Sequence, residues 1–366
     1  MLERANKIGK KILMSGGGRC NFTNLRVGPG HFLSANPHFC RSALARYTPD
    51  AFISLVERHG IAFHEKELGQ LFCDDSSKQI VQLLLDECEA GQVQVDTDCE
   101  ITRIERGADG FTLQTSLGEL RAARLVVATG GLSVPTLGGS GFGYELARQF
   151  GHGLQPTRAG LVPLTLSGRP LEQWQDLSGL SLPVAAQADG GRFDNAMLMT
   201  HRGVSGPAIL QISNYWQPGE PLRIDLLPGR DALQLLIEAQ RTRPRVALVT
   251  VLGECWPRRF AERFVEVFAG ETLAAKNLAD WRHEDFRAIA SAIHDWPVLP
   301  SGTEGYRTAE VTLGGVDTRE ISQATFESQR VPGLYFIGEV LDVTGWLGGY
   351  NFQWAWASAH ACGQAL

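Results

Sequence analysis

Two carboxylates and a group of glycines lie close together near the C-terminal end of the chain. Glu339 and Asp342 precede Gly345, Gly348 and Gly349. A carboxylate accepts hydrogen bonds from ribose or ribityl hydroxyls, and glycines let the backbone approach a flat or phosphorylated ligand closely. The spacing of these residues therefore predicts a binding site for a ligand that combines hydroxyls with a flat ring or a phosphate.

The flanking sequence predicts a strand, a turn and a helix that position these groups. The apolar run at residues 334–337 is bounded by Gly333 and Gly338, which is typical of a buried parallel strand. In open α/β sheets, ligands bind at the carboxyl ends of the strands, where Glu339 and Asp342 follow. Residues 351–359 have helix-forming content, and the N-terminus of such a helix presents free N–H groups and a positive dipole end.

This segment resembles the C-terminal FAD signature of the BaiN-type flavoproteins, also described as aminoacetone oxidase-like or NAD(P)/FAD-dependent oxidoreductases. The matching residues are Gly338-Glu339, Asp342, Gly345-Trp346 and Gly348-Gly349-Tyr350-Asn351-Phe352-Gln353. The resemblance implies an α/β fold with a Rossmann-like FAD domain of the two-dinucleotide-binding-domain type. It also implies that the N-terminus of the last helix stabilises negative charge on the pyrimidine side of the reduced flavin.

Other segments agree with this resemblance. Residues 125–131, Leu-Val-Val-Ala-Thr-Gly-Gly, resemble the A-T-G motif of such domains, and residues 309–316 resemble the segment that re-enters the FAD domain. Residues 15–21 form a glycine nest followed by a guanidinium, which suits a phosphate or the polar edge of a flavin. Together these segments imply cofactor contacts from Glu3, Arg4, Lys11, Ser15, Gly18, Arg19, Cys20, Asn21, Ile101, Thr129, Gly130, Gly131, Gly315, Gly338, Glu339, Asp342, Gly349, Asn351 and Phe352.

In this family pattern Glu3 is the acid that holds the adenosine ribose, and a βαβ unit is expected before it but is missing. A Rossmann-type FAD domain begins with a strand, a G-x-G-x-x-G turn and a helix. The glycines at residues 139–143 match that fingerprint only in part and follow a different strand. We therefore interpret the FAD domain as N-terminally truncated, which leaves a non-catalytic or inactive flavin-binding protein as the alternative function.

The sequence changes character after residue 155, where short β-type runs and then helical patterns follow. We predict an FAD domain in two parts, residues 1–155 and 306–366, with a barrel-like β-rich insertion at 156–230 and a small helical insertion at 231–305. His201 lies in Thr-His-Arg-Gly-Val-Ser-Gly-Pro, which resembles the family motif T-H-x-G-x-S-G-P. We predict catalytic roles for His201, as a proton donor, and for Trp346.

Composition bounds the location and the partners. No apolar run reaches the roughly 18 residues of a membrane span, so we expect a cytoplasmic protein without a membrane partner. The seven cysteines show no C-x-x-C spacing, so neither disulfides nor a metal site is predicted. The net charge of −6 disfavours a nucleic-acid partner, and with it FAD-dependent RNA modification as a further candidate function. Residues 1–46 nevertheless carry eight Lys/Arg against one acid, which suits an anionic ligand such as a pyrophosphate.

These observations predict an FAD-dependent oxidoreductase that transfers hydride between the flavin's reactive nitrogen and a small organic substrate. The resemblance leaves reduction of an activated C=C bond, as in an enone, and oxidation of an amine both open. NAD(P)H is a possible transient donor, although no second dinucleotide fingerprint is present. The substrate and the oligomeric state are left open.

Overall fold

The computed structural model describes all 366 residues and divides them into two compact units. The first unit comprises Met1–Ala159 and Glu310–Leu366, and the second comprises Gly160–Ala309. The chain thus leaves the first unit once and returns to it. The boundaries that we placed at residues 155, 230 and 305 stay predictions.

The elements of the first unit up to the exit point are short, with helices and strands in alternation. They are α1 (Lys10–Met14), β1 (Asn21–Asn24), β2 (Phe32–Leu33), α2 (Arg41–Arg46), α3 (Pro49–Arg58), β3 (Phe63–Glu65), β4 (Gln70–Cys73), α4 (Lys78–Ala90), β5 (Ile101–Gly107), β6 (Gly110–Thr115), β7 (Gly118–Ala122), β8 (Leu125–Val127), α5 (Phe142–Gln149) and β9 (Leu154–Gly160), with 3-10 turns at Ser15–Gly18, Pro29–His31 and Pro135–Leu137.

The second unit is built on one antiparallel sheet with helices. Its elements are β10 (Leu164–Thr165), α6 (Gly168–Trp174), β11 (Ser181–Ala188), β12 (Gly191–Thr200), β13 (Gly203–Ser205), α7 (Pro207–Ser213), β14 (Leu222–Asp225), α8 (Ala232–Thr242), α9 (Leu248–Leu252), α10 (Arg258–Ala274), α11 (His283–His294), β15 (Trp296–Val298) and β16 (Gly302–Thr303), with 3-10 turns at Gln175–Leu177 and Leu278–Asp280. The strand order is β15-β14-β11-β12-β13-β10-β16.

On its return the chain completes the first unit. The closing elements are β17 (Val311–Val316), β18 (Leu334–Phe336), β19 (Thr344–Gly345) and α12 (Tyr350–Gly363), with 3-10 turns at Thr318–Glu320 and Gly338–Val340. β18 pairs in parallel with β8, so that Leu334 lies opposite Leu125 and Phe336 opposite Val127. Because the strands are parallel, the segments that follow both strands begin at the same edge.

Helix α12 is buried on two sides, which explains its apolar composition around the whole circumference. Trp354, which is 1% exposed, packs among Phe39 and Phe326 in one core cluster, and its indole N–H donates to the Gly338 carbonyl at 3.0 Å. On the other side, Trp356 stacks on Phe52 with ring centroids 4.6 Å apart. The two contacts hold the N-terminus of α12 beside the end of β18.

No helix in either unit combines the length and the apolar character needed to cross a bilayer.

Candidate functional site

The predicted strand, turn and helix are present and bring the Thr-Gly-Gly and Gly-Glu segments together. Ile337 continues the parallel pairing by donating its N–H to the Val127 carbonyl at 3.1 Å. A Cβ added at Gly131 would lie 3.0 Å from a carboxylate oxygen of Glu339 and 2.5 Å from Thr312 Oγ1. The absence of a side chain at Gly131 therefore allows Glu339 to lie against the backbone that follows β8.

The Glu339 carboxylate is the centre of a polar cluster. It accepts from Lys11 Nζ at 2.9 Å, from the Thr312 N–H at 2.9 Å and from Ser133 Oγ at 3.3 Å. Lys11 Nζ also donates to Ser133 Oγ at 2.7 Å. The side chains of Lys11 and Glu339 are 41% and 20% exposed, so the pair is only partly screened by water.

Glu310 adjoins this cluster through its backbone, since its carbonyl accepts from Ser133 Oγ at 3.2 Å. Desolvation by the surrounding protein raises the pKa of the Glu310 carboxyl, and the positive charge of Lys11 opposes that rise, although part of the side chain stays accessible to solvent. This carboxyl therefore keeps its proton to a higher pH than an ordinary glutamate does.

The turn between β19 and α12 is held by the Asn351 side chain. The amide oxygen accepts from the Gly345 N–H at 2.8 Å, and the amide nitrogen donates to the carbonyls of Gly345 at 3.0 Å and Trp346 at 3.1 Å. Gly349 caps α12 with a φ of 93°, and a Cβ there would lie 2.4 Å from the Thr23 carbonyl. Only glycine fits at that position.

Strand β1 supports the same turn from outside. The Asn24 side chain donates to the Gly348 carbonyl at 2.8 Å. The Asn21 side-chain amide makes hydrogen bonds through both of its polar atoms. Its oxygen accepts from the Gly349 N–H at 3.2 Å, and its nitrogen donates to the Thr23 carbonyl at 3.0 Å. The turn and the N-terminus of α12 are thus fixed before any ligand binds.

The glycine nest at residues 16–18 has a left-handed backbone with open space around two of its glycines. Gly16, Gly17 and Gly18 have φ values of 57°, 65° and 87°, and a Cβ at Gly17 or Gly18 would meet no atom within 4 Å. Successive N–H groups in such a conformation bind anions. Ser15 at the start of the nest donates its hydroxyl to the Ile12 carbonyl at 2.8 Å, and the exposed Arg19 follows the nest.

Several predicted cofactor residues have partners within the chain. Asp342 is 5% exposed, and its carboxylate accepts from the Ala35 N–H at 2.8 Å; burial raises its pKa. Glu3 accepts from the Ala5 N–H at 2.7 Å, and Arg4 beside it is exposed. Cys20 is fully buried, and burial raises the pKa of its thiol to about 12.

Three of the remaining predicted cofactor residues contact other parts of the first unit. Ile101 begins β5 and packs against the core cluster of the first unit. The Phe352 ring is stacked on Trp356 with centroids 5.6 Å apart. A Cβ at Gly315 would lie 2.6 Å from the Val340 carbonyl, so this glycine allows β17 to approach the segment after β18. Thr129 Oγ1 is buried and has no hydrogen-bond partner within the chain.

The two predicted catalytic residues lie in different units. Trp346 belongs to the first unit, where its N–H donates to the His31 carbonyl at 3.0 Å. His201 is an exposed residue of the second unit, in the tight turn between β12 and β13. The glycines at residues 139–143 lead into α5, where Gly143 allows close contact with Thr129 and Val340.

The sequence did not identify Ser133, Thr312 or His31 as residues of this region. Ser133 follows the Thr-Gly-Gly motif closely and Thr312 precedes a glycine pair, so proximity to glycine motifs was the available signal. His31 lies in a segment without any recognisable motif. Its contact with Trp346 depends on the pairing of β2 with β19.

The parallel strand edge, the open glycine nest and the preorganised helix N-terminus fit a flavin dinucleotide; the cofactor contacts predicted for Lys11, Glu339 and the nest stay predictions. They define a Rossmann-like, FAD-binding α/β domain. Residues 1–365 match the family described as HI0933-like protein Rossmann domain. The chain belongs to this family of FAD-binding oxidoreductases, which confirms the predicted Rossmann-like α/β fold class and the BaiN-type resemblance. The N-terminal truncation and the inserted domains stay predictions.

Several relatives match the whole of this chain. Proteins named ribosomal RNA dihydrouridine synthase are 54% identical in Escherichia coli K12 and 50% identical in Haemophilus influenzae Rd, with 91% and 92% of those proteins covered. The 3-dehydro-bile acid delta(4,6)-reductase of Clostridium scindens is 30% identical, with 91% of that protein covered.

Proposed function

We propose that this protein is an FAD-dependent reductase that converts a uridine of ribosomal RNA to dihydrouridine. The observation that carries the proposal is the 54% identity, over the full chain, to the E. coli protein of that name. Dihydrouridine differs from uridine by two hydrogens across the C5=C6 bond, which is conjugated with the C4 carbonyl. The 30% identical relative is also named a reductase of double bonds, which supports the same reaction class.

The site residues divide the work of binding and orientation. The bound flavin supplies hydride chemistry. The nest and Arg19 bind pyrophosphate charge, and Lys11 and Glu339 present a cation and an acceptor at the sheet edge, where a ribityl chain has donors and acceptors to match. The fixed N-terminus of α12 provides a positive dipole end that requires no reorganisation.

The net charge led to the expectation that nucleic acid is not a partner, and that expectation stays a prediction. The function proposed above requires an RNA substrate instead. Net charge sums over the whole surface, whereas RNA binding depends on local basic surface. Six of the eight basic side chains in residues 1–46 are exposed in the structure. They are Arg4, Lys7, Arg19, Arg26, Arg41 and Arg46.

Complementation tests the proposal. An E. coli strain that lacks its own ribosomal RNA dihydrouridine synthase would receive this gene, and the dihydrouridine content of purified ribosomal RNA would be measured by mass spectrometry of nucleosides. We expect this gene to restore dihydrouridine. A variant with Lys11→Ala and Glu339→Ala provides the inactive control. If the strain gains no dihydrouridine while the protein is expressed and holds FAD, the RNA substrate is wrong.

An enone reductase is the second candidate, because a relative at 30% identity is named for reduction of a bile acid derivative. Oxidation of NAD(P)H by the FAD-loaded protein would be followed with a 3-oxo-Δ4 steroid as acceptor. Steroid-dependent turnover without dihydrouridine formation would favour this candidate. If the protein holds FAD but shows neither activity, the non-catalytic alternative is favoured.

A further inference from the structure

His31 is fixed to the turn that contains Trp346. Its carbonyl accepts from the Trp346 N–H at 3.0 Å, and the next residues, Phe32 and Leu33, pair antiparallel with Gly345 and Thr344. The imidazole is half-buried. The position of this side chain is therefore set by backbone contacts on both sides, independently of what the ring binds.

The contacts of the ring select one tautomer. The Gly28 N–H lies 3.1 Å from Nδ1, and the Gly28 carbonyl, 3.2 Å from Nδ1, already accepts from the His31 N–H at 3.0 Å. We assign Nδ1 as the acceptor of the Gly28 N–H, which puts the proton on Nε2. Burial lowers the pKa of His31, although the contact with the Gly28 backbone opposes that fall, and a lowered pKa favours the neutral ring. Nε2–H has no hydrogen-bond partner within the chain, which leaves one donor for a ligand.

The ring belongs to an aromatic cluster. Its centroid lies 4.7 Å from that of Trp346 at an interplanar angle of 76°, and 4.9 Å from that of Tyr350 at 39°. Burial raises the pKa of Tyr350, and the nearby positive charge of Arg26 opposes that rise. Aromatic side chains are a usual means of holding an unstacked base of single-stranded RNA.

We propose that the half-buried His31 and Trp346 contact the target uridine, with His31 Nε2–H donating to the O4 carbonyl of uracil and the buried Tyr350 ring packed against both. This inference rests on the proposed function and specifies its substrate site. In the reduction of uracil, C6 gains a hydride, which a bound reduced flavin would supply, and C5 gains a proton from solvent. In between, negative charge is shared by C5 and O4, so a donor at O4 stabilises the transition state.

The test compares His31→Ala and His31→Gln with His38→Ala in the FAD-loaded protein. Gln retains an N–H donor, and His38 is an exposed histidine elsewhere in the first unit. Visible spectra, melting temperature and the rate of flavin reduction by NADPH show whether each variant is intact. Binding of a uridine-containing RNA oligonucleotide is measured by fluorescence anisotropy, and dihydrouridine formation in single turnover.

We expect His31→Ala to keep its flavin spectrum and reduction rate, to bind the oligonucleotide at least fivefold more weakly, and to form dihydrouridine at least tenfold more slowly. His31→Gln should recover part of both losses, and His38→Ala should match wild type. Wild-type binding and rate in His31→Ala would overturn the inference. If wild type forms no dihydrouridine, the proposed function fails; equal binding by wild type and His31→Ala would then overturn the substrate site too.

Discussion

Lys11 and Glu339 form an ion pair of 2.9 Å although 328 residues separate them in the chain. The pair lies at the edge where β8 and β18 both end, and Ser133 bonds to both partners. A cation and a carboxylate held side by side provide one donor and one acceptor for a cofactor without adding net charge.

Replacement of Glu339 by Gln should weaken FAD binding roughly tenfold to a hundredfold, because a hydrogen bond to a charged group contributes about 1.5–3 kcal/mol. The neutral amide also leaves Lys11 without its counter-charge. Flavin fluorescence titration of the apoprotein measures the affinity. Lys10→Met, at the neighbouring lysine, is the control and should bind FAD as wild type does. Equal affinity of Glu339→Gln and wild type would exclude a cofactor role for this carboxylate.

Gly349→Ala should destabilise the protein more than Gly17→Ala does. Both residues have a left-handed φ, 93° and 65°, which costs an L-residue roughly 1–2 kcal/mol. A Cβ at Gly349 would also lie 2.4 Å from the Thr23 carbonyl, whereas the space at Gly17 is open. Overpacking adds about 1–3 kcal/mol. Urea unfolding of the two variants measures the difference in their free energies of unfolding. Equal losses of stability would show that the turn accommodates the added methyl group without further cost.

His152 should make the stability fall on mild acidification. It is buried between Glu320, 3.1 Å from Nδ1, and Ser328, 2.8 Å from Nε2, with Arg330 also near. Burial lowers its pKa below the ordinary 6.5, so above pH 6.5 neither state binds this proton. As pH falls below 6.5 the unfolded state is protonated first, and folding stability is lost. His152→Gln should show a flatter stability curve between pH 7 and 5, measured by urea unfolding; an unchanged slope would contradict this assignment.

Asp317 should contribute stability that is lost in stronger acid. Hydrogen bonds from Arg319 are the main cause that lowers the pKa of its carboxyl from 3.8 to about 2. Its contribution is complete above pH 3.8 and is lost as pH falls through about 2. Asp317→Asn should therefore be less stable at pH 6, by about 1 kcal/mol after allowance for solvent screening, and should differ little from wild type at pH 2. The exposed Asp109→Asn serves as control; a constant difference at both pH values would point to packing instead.

Local patterns predicted the elements around the site well. The apolar run before Gly338 is strand β18, and the helix predicted at residues 351–359 is part of α12. The helical spacing from Pro49 gives α3, and the glycines at 107 and 110 close the hairpin of β5 and β6. Such signals depend on neighbours in sequence, which is why they can be read without the fold.

The contacts within the site were less predictable. Asp342 was predicted to face the cofactor on the same grounds as Glu339, yet its carboxylate bonds to the loop after β2, at Ala35. The sequence offers no sign of this choice, because both acids follow the same strand. The cofactor roles of Asp342 and Glu339 stay predictions, whereas the structure shows which groups their carboxylates contact.

The sequence by itself determined that a parallel strand leads through a glycine turn into a helix, and which glycines the turn needs. Only the tertiary structure decided that Glu339 pairs with Lys11 and Ser133, and that His31 packs on Trp346. The physical reason is the range of the forces involved. Backbone preferences and apolar periodicity act over a few residues, whereas hydrogen-bond partners within about 3 Å are selected by the packing of distant segments around a common core.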